Sequence, residues 1–273
     1  MKQIISIIIA LTLIIIMSFY SFKAYKSAKS YETISYIIVE KHNLSQLGAN
    51  KLKKIGDILS LGLYDGYDKV LNEERELLST QKFYKNRSIK YTTYAIGSAI
   101  LLLMLYFVMS IKSFTIFVTL SALVSLFSGL LIPIIMMSIH KEVEYIGDVV
   151  LTMESKGVLG SIIKLFDSQE YVVGAALLLF FIILPFFKTI SMLFVAIFIK
   201  NRALHSIVHF FKILGKWSMA DVFVVATFLV YLSGSRGGMS RAEIQVGLYF
   251  FLAYVILSMV ASLSADKMLR DID

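Results

Sequence analysis

Lys188 and Asp221 are the residues of this chain whose type and place invite chemistry, because each stands within or at the edge of a long apolar run. A charge at the centre of a membrane helix costs about 2.5 to 3.5 kcal/mol on insertion scales, so it normally faces a partner, water or a functional path. Lys188 precedes Lys200 by about eleven mostly apolar residues, roughly 16 Å along a helix, which is farther than a lysine stem can snorkel. Asp221 is the only acid within the predicted spans. It reads either as a cap near the interface or as the counter-charge of Lys188, direct or through water.

The other chemical signals are weaker. His205 and His209 have the i, i+4 spacing of two metal ligands on one helix face, but no third ligand is evident, so neither metal nor cofactor is expected. Gly234-Ser-Arg-Gly-Gly238 lacks the Lys-Ser/Thr ending of a phosphate-binding loop and reads as a flexible turn. The chain has no cysteine, which removes thiolate nucleophiles, zinc ribbons and iron–sulfur ligation together. No nucleophile, base and orienting group occur together, so an enzyme is not expected.

The elements that must position these residues follow from composition. Of 273 residues, 58% are hydrophobic and only 17% charged, with a mean hydropathy of +0.76, more apolar surface than a soluble domain of this size can hide. Only 2 prolines occur, which favours long uninterrupted helices over a turn-rich barrel. The expected fold class is all-α: a polytopic membrane helix bundle of about six transmembrane helices with an extracytoplasmic helical insert. The spans are predicted near residues 4–22, 91–110, 114–137, 171–199, 218–232 and 244–263. Residues 23–90 hold 13 basic and 8 acidic side chains, with breaks at Gly48 to Asn50 and Gly62 to Gly66 that predict two or three helices folded back on one another. This divides the chain into an N-terminal two-span hairpin with its insert, 1–112, and a four-span module, 113–273.

Within the spans, Pro133 and Pro185 are expected to kink helices three and four, since each removes a backbone hydrogen bond that protein or water must replace. Ser121, Ser125 and Gly129 recur every fourth position on span three and allow close helix contact. Two amphipathic stretches, 158–166 and 203–214, have the character of interfacial helices, and Trp217 after the second reads as an interface anchor.

Lys200, Arg202, Lys212 and Lys216 lie together with no acid among them, which places that loop and both termini in the cytoplasm and the 23–90 and 138–170 segments outside. The first span, behind Lys2, reads as a retained signal anchor because no clean cleavage site follows it. The net charge of +8 is spread between apolar runs, where it meets lipid headgroups, so nucleic acid is not an expected partner.

Gly215-Lys-Trp-Ser-Met-Ala-Asp-Val-Phe-Val-Val-Ala226 resembles the Trp-Ser-Met-x-Asp-Val-Phe signature of the paraquat-inducible protein A family. Ile183-Leu-Pro-Phe-Phe-Lys188 is similar to that family's Phe-Pro-x-x-Lys pattern one span earlier, and Leu131-Ile-Pro133 is a shorter match near the end of its opening span. The resemblance covers about residues 113–270 as one module. It implies a bacterial inner-membrane component of a lipid or hydrophobic-molecule transport system, acting on membrane lipids beside a periplasmic MCE-type protein. By position it implies an intramembrane polar cluster of Lys188, Ser218 and Asp221. Better-known members carry cysteine-rich zinc ribbons and often two modules, whereas this chain has one module and no cysteine. Ser233 stands where some members have a lysine, and the first 110 residues have no counterpart in the family. A stress-related membrane scaffold and an ion or solute permease are the alternative readings.

Overall fold

The computed structural model describes residues 2–41, 66–143, 147–198 and 240–270, and in it the chain is a predominantly helical, polytopic membrane protein. Five helices among these residues are long and apolar enough to cross a membrane. The predicted span at 218–232 and the breaks at Gly48 to Asn50 and Gly62 lie outside the described residues.

Helix α1 (Lys2–Lys41) has 40 residues and α2 (Gly66–Met104) has 39. At 1.5 Å per residue each is about 60 Å long, twice the roughly 30 Å of a bilayer's hydrocarbon core. The described parts of the insert are therefore not separate helices but direct continuations of the first two spans.

Their pairing has a sequence cause. Along α1 the buried residues Ala10, Met17, Ala24 and Tyr31 fall seven apart, with Ser21, Ala28 and Ser35 on the same seam. On α2, Ser88, Ala95 and Leu102 repeat in the same way, interleaved with Thr92 and Ala99. A seven-residue repeat makes a coiled-coil seam, and small residues along it let two backbones approach closely where lipid supplies no hydrophobic drive. Above the apolar stretch the seam carries a polar rung, Gln81 Nε2 donating to Ser35 Oγ at 2.8 Å.

A 3-10 turn (Leu105–Phe107) leads to α3 (Ile111–Leu131), capped by Ser110. Phe114, Val118, Ala122 and Leu126 line its buried face and pack against α7 (Val246–Arg270), which contributes Phe250, Tyr254, Leu257 and Ala261. The approach is closest at Gly129, where a Cβ would stand 2.9 Å from the backbone nitrogen of Phe251. Gly129 is thus part of the close helix contact expected of the small-residue row. Thr115 and Ser264 share a hydrogen bond of 2.6 Å across the same interface.

Span three ends earlier than its apolar run predicts. Ile132 is already extended (φ −84, ψ 140), because the ring of the following proline disfavours the helical region for the residue before it. Pro133 therefore stops the helix and does not kink it. Its carbonyl accepts the N–H of Gly247 at 3.0 Å, tying the end of α3 to the start of α7. A side chain at Gly247 would meet the Ile132 carbonyl, so only glycine fits that crossing.

The apolar residues beyond Pro133 belong to a small sheet that the helical reading did not include. Strand β1 (Ile135–Val143) pairs antiparallel with β2 (Gly147–Lys156) and with β3 (Ser240–Ile244), in the order β2-β1-β3. Ile135 lies opposite both Lys156 and Ile244, and a bulge falls between Ile139 and His140. The amphipathic stretch after β2 is a helix as predicted, α4 (Val158–Asp167), burying Val158 and Ile162. Span four follows as α5 (Tyr171–Leu178), a π-helical segment (Leu179–Ile183) and α6 (Leu184–Phe198).

Long-range contacts sort the loops into two groups. Tyr31, Lys85 and Glu243 meet at one end of the bundle, where the N–H of Ser155 in β2 also donates to the Tyr36 hydroxyl at 3.0 Å. At the other end Lys112 reaches the Ile197 carbonyl at 3.4 Å and Lys267 reaches the Tyr106 hydroxyl at 3.1 Å. The grouping is the alternation that successive membrane crossings require.

Candidate intramembrane polar site

Pro185 organises the middle of span four. Its ring would clash with the carbonyl four residues back, and it has no N–H to complete the ladder. The helix widens immediately before it: the Leu184 N–H donates to the Leu179 carbonyl, five residues earlier, in a π turn that makes room for the ring.

Past the proline, α6 and α7 share a hydrogen-bonded contact at its own carbonyl. The Pro185 carbonyl accepts from Thr189 Oγ1 at 2.7 Å and from the Tyr254 hydroxyl at 3.3 Å, while Thr189 and Tyr254 lie 3.4 Å apart. Thr189 and Tyr254 are both fully buried. Phe181 on the π segment stacks near Phe251 at 5.5 Å between ring centroids, and Phe251 lies 5.9 Å from Tyr254, so the widened turn is sealed by aromatic rings.

Lys188 sits on the inward face of this helix, in the buried row Pro185, Lys188, Thr189, Met192 and Val195. It is 4% exposed. The bundle, and not lipid, therefore surrounds the ammonium stem, as its distance from the end of the span requires. Lys188 thus puts a buried ammonium on the same turn of span four as the Thr189 hydroxyl, and a charge so placed normally faces a partner, water or a functional path.

Of the other residues singled out from the sequence, Pro185 lies in this site and Pro133 lies outside it, at the junction with the sheet. Ser218, Asp221, Trp217, His205 and His209 fall outside the described residues. Among the described residues, no group of three or more His, Cys, Asp or Glu is placed to hold a metal. Thr189 and Tyr254 were not singled out in the sequence. Their signal was a hydroxyl beside Lys188 and a tyrosine near the centre of the last apolar run.

A second polar seam joins the N-terminal hairpin to this module. Ser121 on α3 donates to the sulfur of Met17 on α1 at 3.0 Å. One turn further along both helices, Ser21 and Ser125 are buried with no hydrogen-bond partner among the described residues.

Neither a curated protein nor a solved structure matches the chain. The family profile described as paraquat-inducible protein A matches residues 113–270, from the first turn of α3 to the end of α7. That segment holds the π turn, Pro185, Lys188, Thr189 and Tyr254, and it is more than half of the 273 residues, so the chain belongs to the paraquat-inducible protein A family.

Proposed function

We propose that the chain is an inner-membrane component of a system that moves lipid or another hydrophobic molecule, working with a periplasmic MCE-type partner. The observation that carries this reading is the burial of Lys188 within the family module, 4% exposed in the middle of a span. A buried cation is costly, and its retention in an apolar helix is best accounted for by a working role.

In this reading Lys188, Ser218 and Asp221 act as one polar cluster. Protonation of Asp221 changes the charge that Lys188 faces, and the pair biases the bundle between two arrangements. The π turn and Pro185 give span four a place to flex, because the local ladder is already interrupted there. Lys112 and Lys267 lie at the end assigned to the cytoplasm, so the sheet and the arms of α1 and α2 stand in the periplasm within reach of a partner.

The test is affinity purification of the tagged chain from native membranes in a mild detergent, with protein and lipid identification of what accompanies it. An MCE-type protein or stoichiometric phospholipid is the expected result. Recovery of neither overturns the reading. Lys188→Ala and Asp221→Ala variants that keep full envelope function overturn its charged mechanism specifically.

A further inference from the structure

From Met1 to Tyr31, and again from Leu77 to Lys141, the chain contains no acidic residue. The two stretches are neighbours where α1 and α2 leave the apolar part of the bundle. They bring Lys23, Lys26, Lys29, Lys82, Lys85, Arg87 and Lys90 to one zone. Lys29 is paired with Glu32 at 2.7 Å, and Lys85 with Glu243.

Three of the remaining cations are laid on aromatic rings at a single level. Lys23 Nζ stands 4.4 Å over the Phe19 ring and 5.6 Å over Tyr91. The Arg87 guanidinium carbon is 5.5 Å from the Tyr91 ring, and its Nε donates to the Tyr91 hydroxyl at 2.8 Å. Lys90 Nζ lies 5.9 Å over Tyr94. Tyr20 joins the two helices beneath them, 5.9 Å from Tyr91 and 5.1 Å from Tyr94.

We infer that this basic and aromatic collar is a binding site for the headgroup of an anionic phospholipid. Fixing Arg87 through Nε leaves its two terminal nitrogens to bridge phosphate oxygens, and Lys23 adds a point charge from the neighbouring helix. Below Lys23 the exposed residues Phe19, Ile15 and Leu11 continue down one face of α1, 51%, 60% and 53% exposed, as an apolar track for an acyl chain. A headgroup layer places its phosphate at the level where an apolar run ends and lysine begins, which is the position of Lys23. A soluble acidic protein needs the charge but not the aromatic rings or the apolar track beneath them. The collar lies in residues 1–112, outside the segment that matches the family, and does not depend on whether the module transports anything.

The test is the ratio of anionic to zwitterionic phospholipid retained by the full chain after purification in mild detergent, or selected from nanodiscs containing both. Wild type is expected to enrich the anionic lipid. Each neutralisation among Lys23→Gln, Arg87→Gln and Lys90→Gln lowers that enrichment about fivefold, the size of one lost cation beside an anionic surface. Lys23→Arg, which keeps the charge, retains it. Where one of these variants does not accumulate, the others are read in the same assay. Three results overturn the proposal: unchanged enrichment in the neutralised variants, an equal loss in Lys26→Gln with Lys82→Gln, or displacement of the lipid by millimolar inorganic phosphate, which assigns the site to soluble phosphate.

Discussion

Tyr31 on α1 donates a hydrogen bond of 3.0 Å to Glu243 of β3, a residue more than two hundred positions later in the chain. Lys85 on α2 pairs with the other oxygen of the same carboxylate. One acidic side chain thereby fastens both helical arms to the strand that leads into α7, the helix carrying Tyr254. The N-terminal hairpin is thus fastened to the family module at the strand that precedes α7.

Glu243→Gln is expected to loosen that fastening without unfolding the protein. Both charged partners are more than a third exposed, so the ion pair contributes under about 1 kcal/mol and the melting temperature should move little. The local effect is larger, because among the described residues β3 pairs with β1 alone and lies at the edge of the sheet. Hydrogen exchange of residues 240–244 should accelerate in Glu243→Gln and in Tyr31→Phe, and unchanged exchange in both would show that the clamp does not hold the strand.

Glycines at two helical positions should respond in opposite ways to the same substitution. Gly129→Ala places a methyl 2.9 Å from the Phe251 backbone and must push α3 from α7, whereas Gly97→Ala meets nothing within 4 Å. The first should lower thermal stability by about 1 to 3 kcal/mol through overpacking. The second should raise it by roughly 0.5 to 1 kcal/mol, since alanine restricts the unfolded chain and favours the helix. Melting curves of the two variants in one detergent check the difference.

The helices were legible because their signal is long: five apolar runs of twenty or so residues leave little choice of structure in lipid. Lys188 was legible for the same reason, as a charge with no route to the surface. The sheet was not, because Ile134-Ile-Met-Met137 continues the apolar run of α3 without a polar break, and the signal lay instead in Pro133 and in the β-branched run Val149, Val150 and Thr152. The coiled-coil seam was readable in the spacing of Ala10, Met17, Ala24 and Tyr31, but lipid-facing isoleucines around it hide a repeat made of small residues. Tyr254 could not be assigned a role from sequence, since the acceptor for its hydroxyl is the Pro185 backbone carbonyl on another span, 69 residues earlier.

Acidification should loosen α4 on strand β2 before it affects the bundle. Lys164 donates to Glu154 at 2.8 Å and, with Lys156 nearby, holds that carboxyl below its ordinary value of 4.5. A carboxyl whose folded pKa is depressed contributes stability above its unfolded pKa and loses it as pH falls through the folded one. The contact is exposed and the effect correspondingly small. Hydrogen exchange of residues 158–167 should therefore rise as pH drops below the usual glutamate range, after correction for intrinsic rates, and Glu154→Gln should show the faster exchange already at neutral pH.

Tyr254→Phe removes one donor from the Pro185 carbonyl and leaves Thr189 in place. Interhelical hydrogen bonds of this kind average about 0.6 kcal/mol in membranes, so the fold should survive with a melting point lowered by a few degrees at most. If the hydroxyl also sets the position of span four at Lys188, envelope function should fall more than stability does. Parallel losses in the two measurements would reduce Tyr254 to packing.

The charged pair proposed for transport makes the sharpest demand, because structural and working roles of Lys188 predict opposite outcomes. Replacing both members of a buried ion pair by apolar side chains of similar volume is commonly neutral or stabilising, so Lys188→Met combined with Asp221→Leu should accumulate normally and melt no lower than wild type. A lysine kept for its chemistry should nonetheless lose function completely in that variant. Lys188→Asp and Asp221→Lys should each be defective, since each places two like charges where opposite ones are proposed, and the double reversal should recover function if the two side chains meet. Independent, additive defects in the double variant would separate Lys188 from Asp221 and leave the hydroxyls of Thr189 and Tyr254 as the groups to test next.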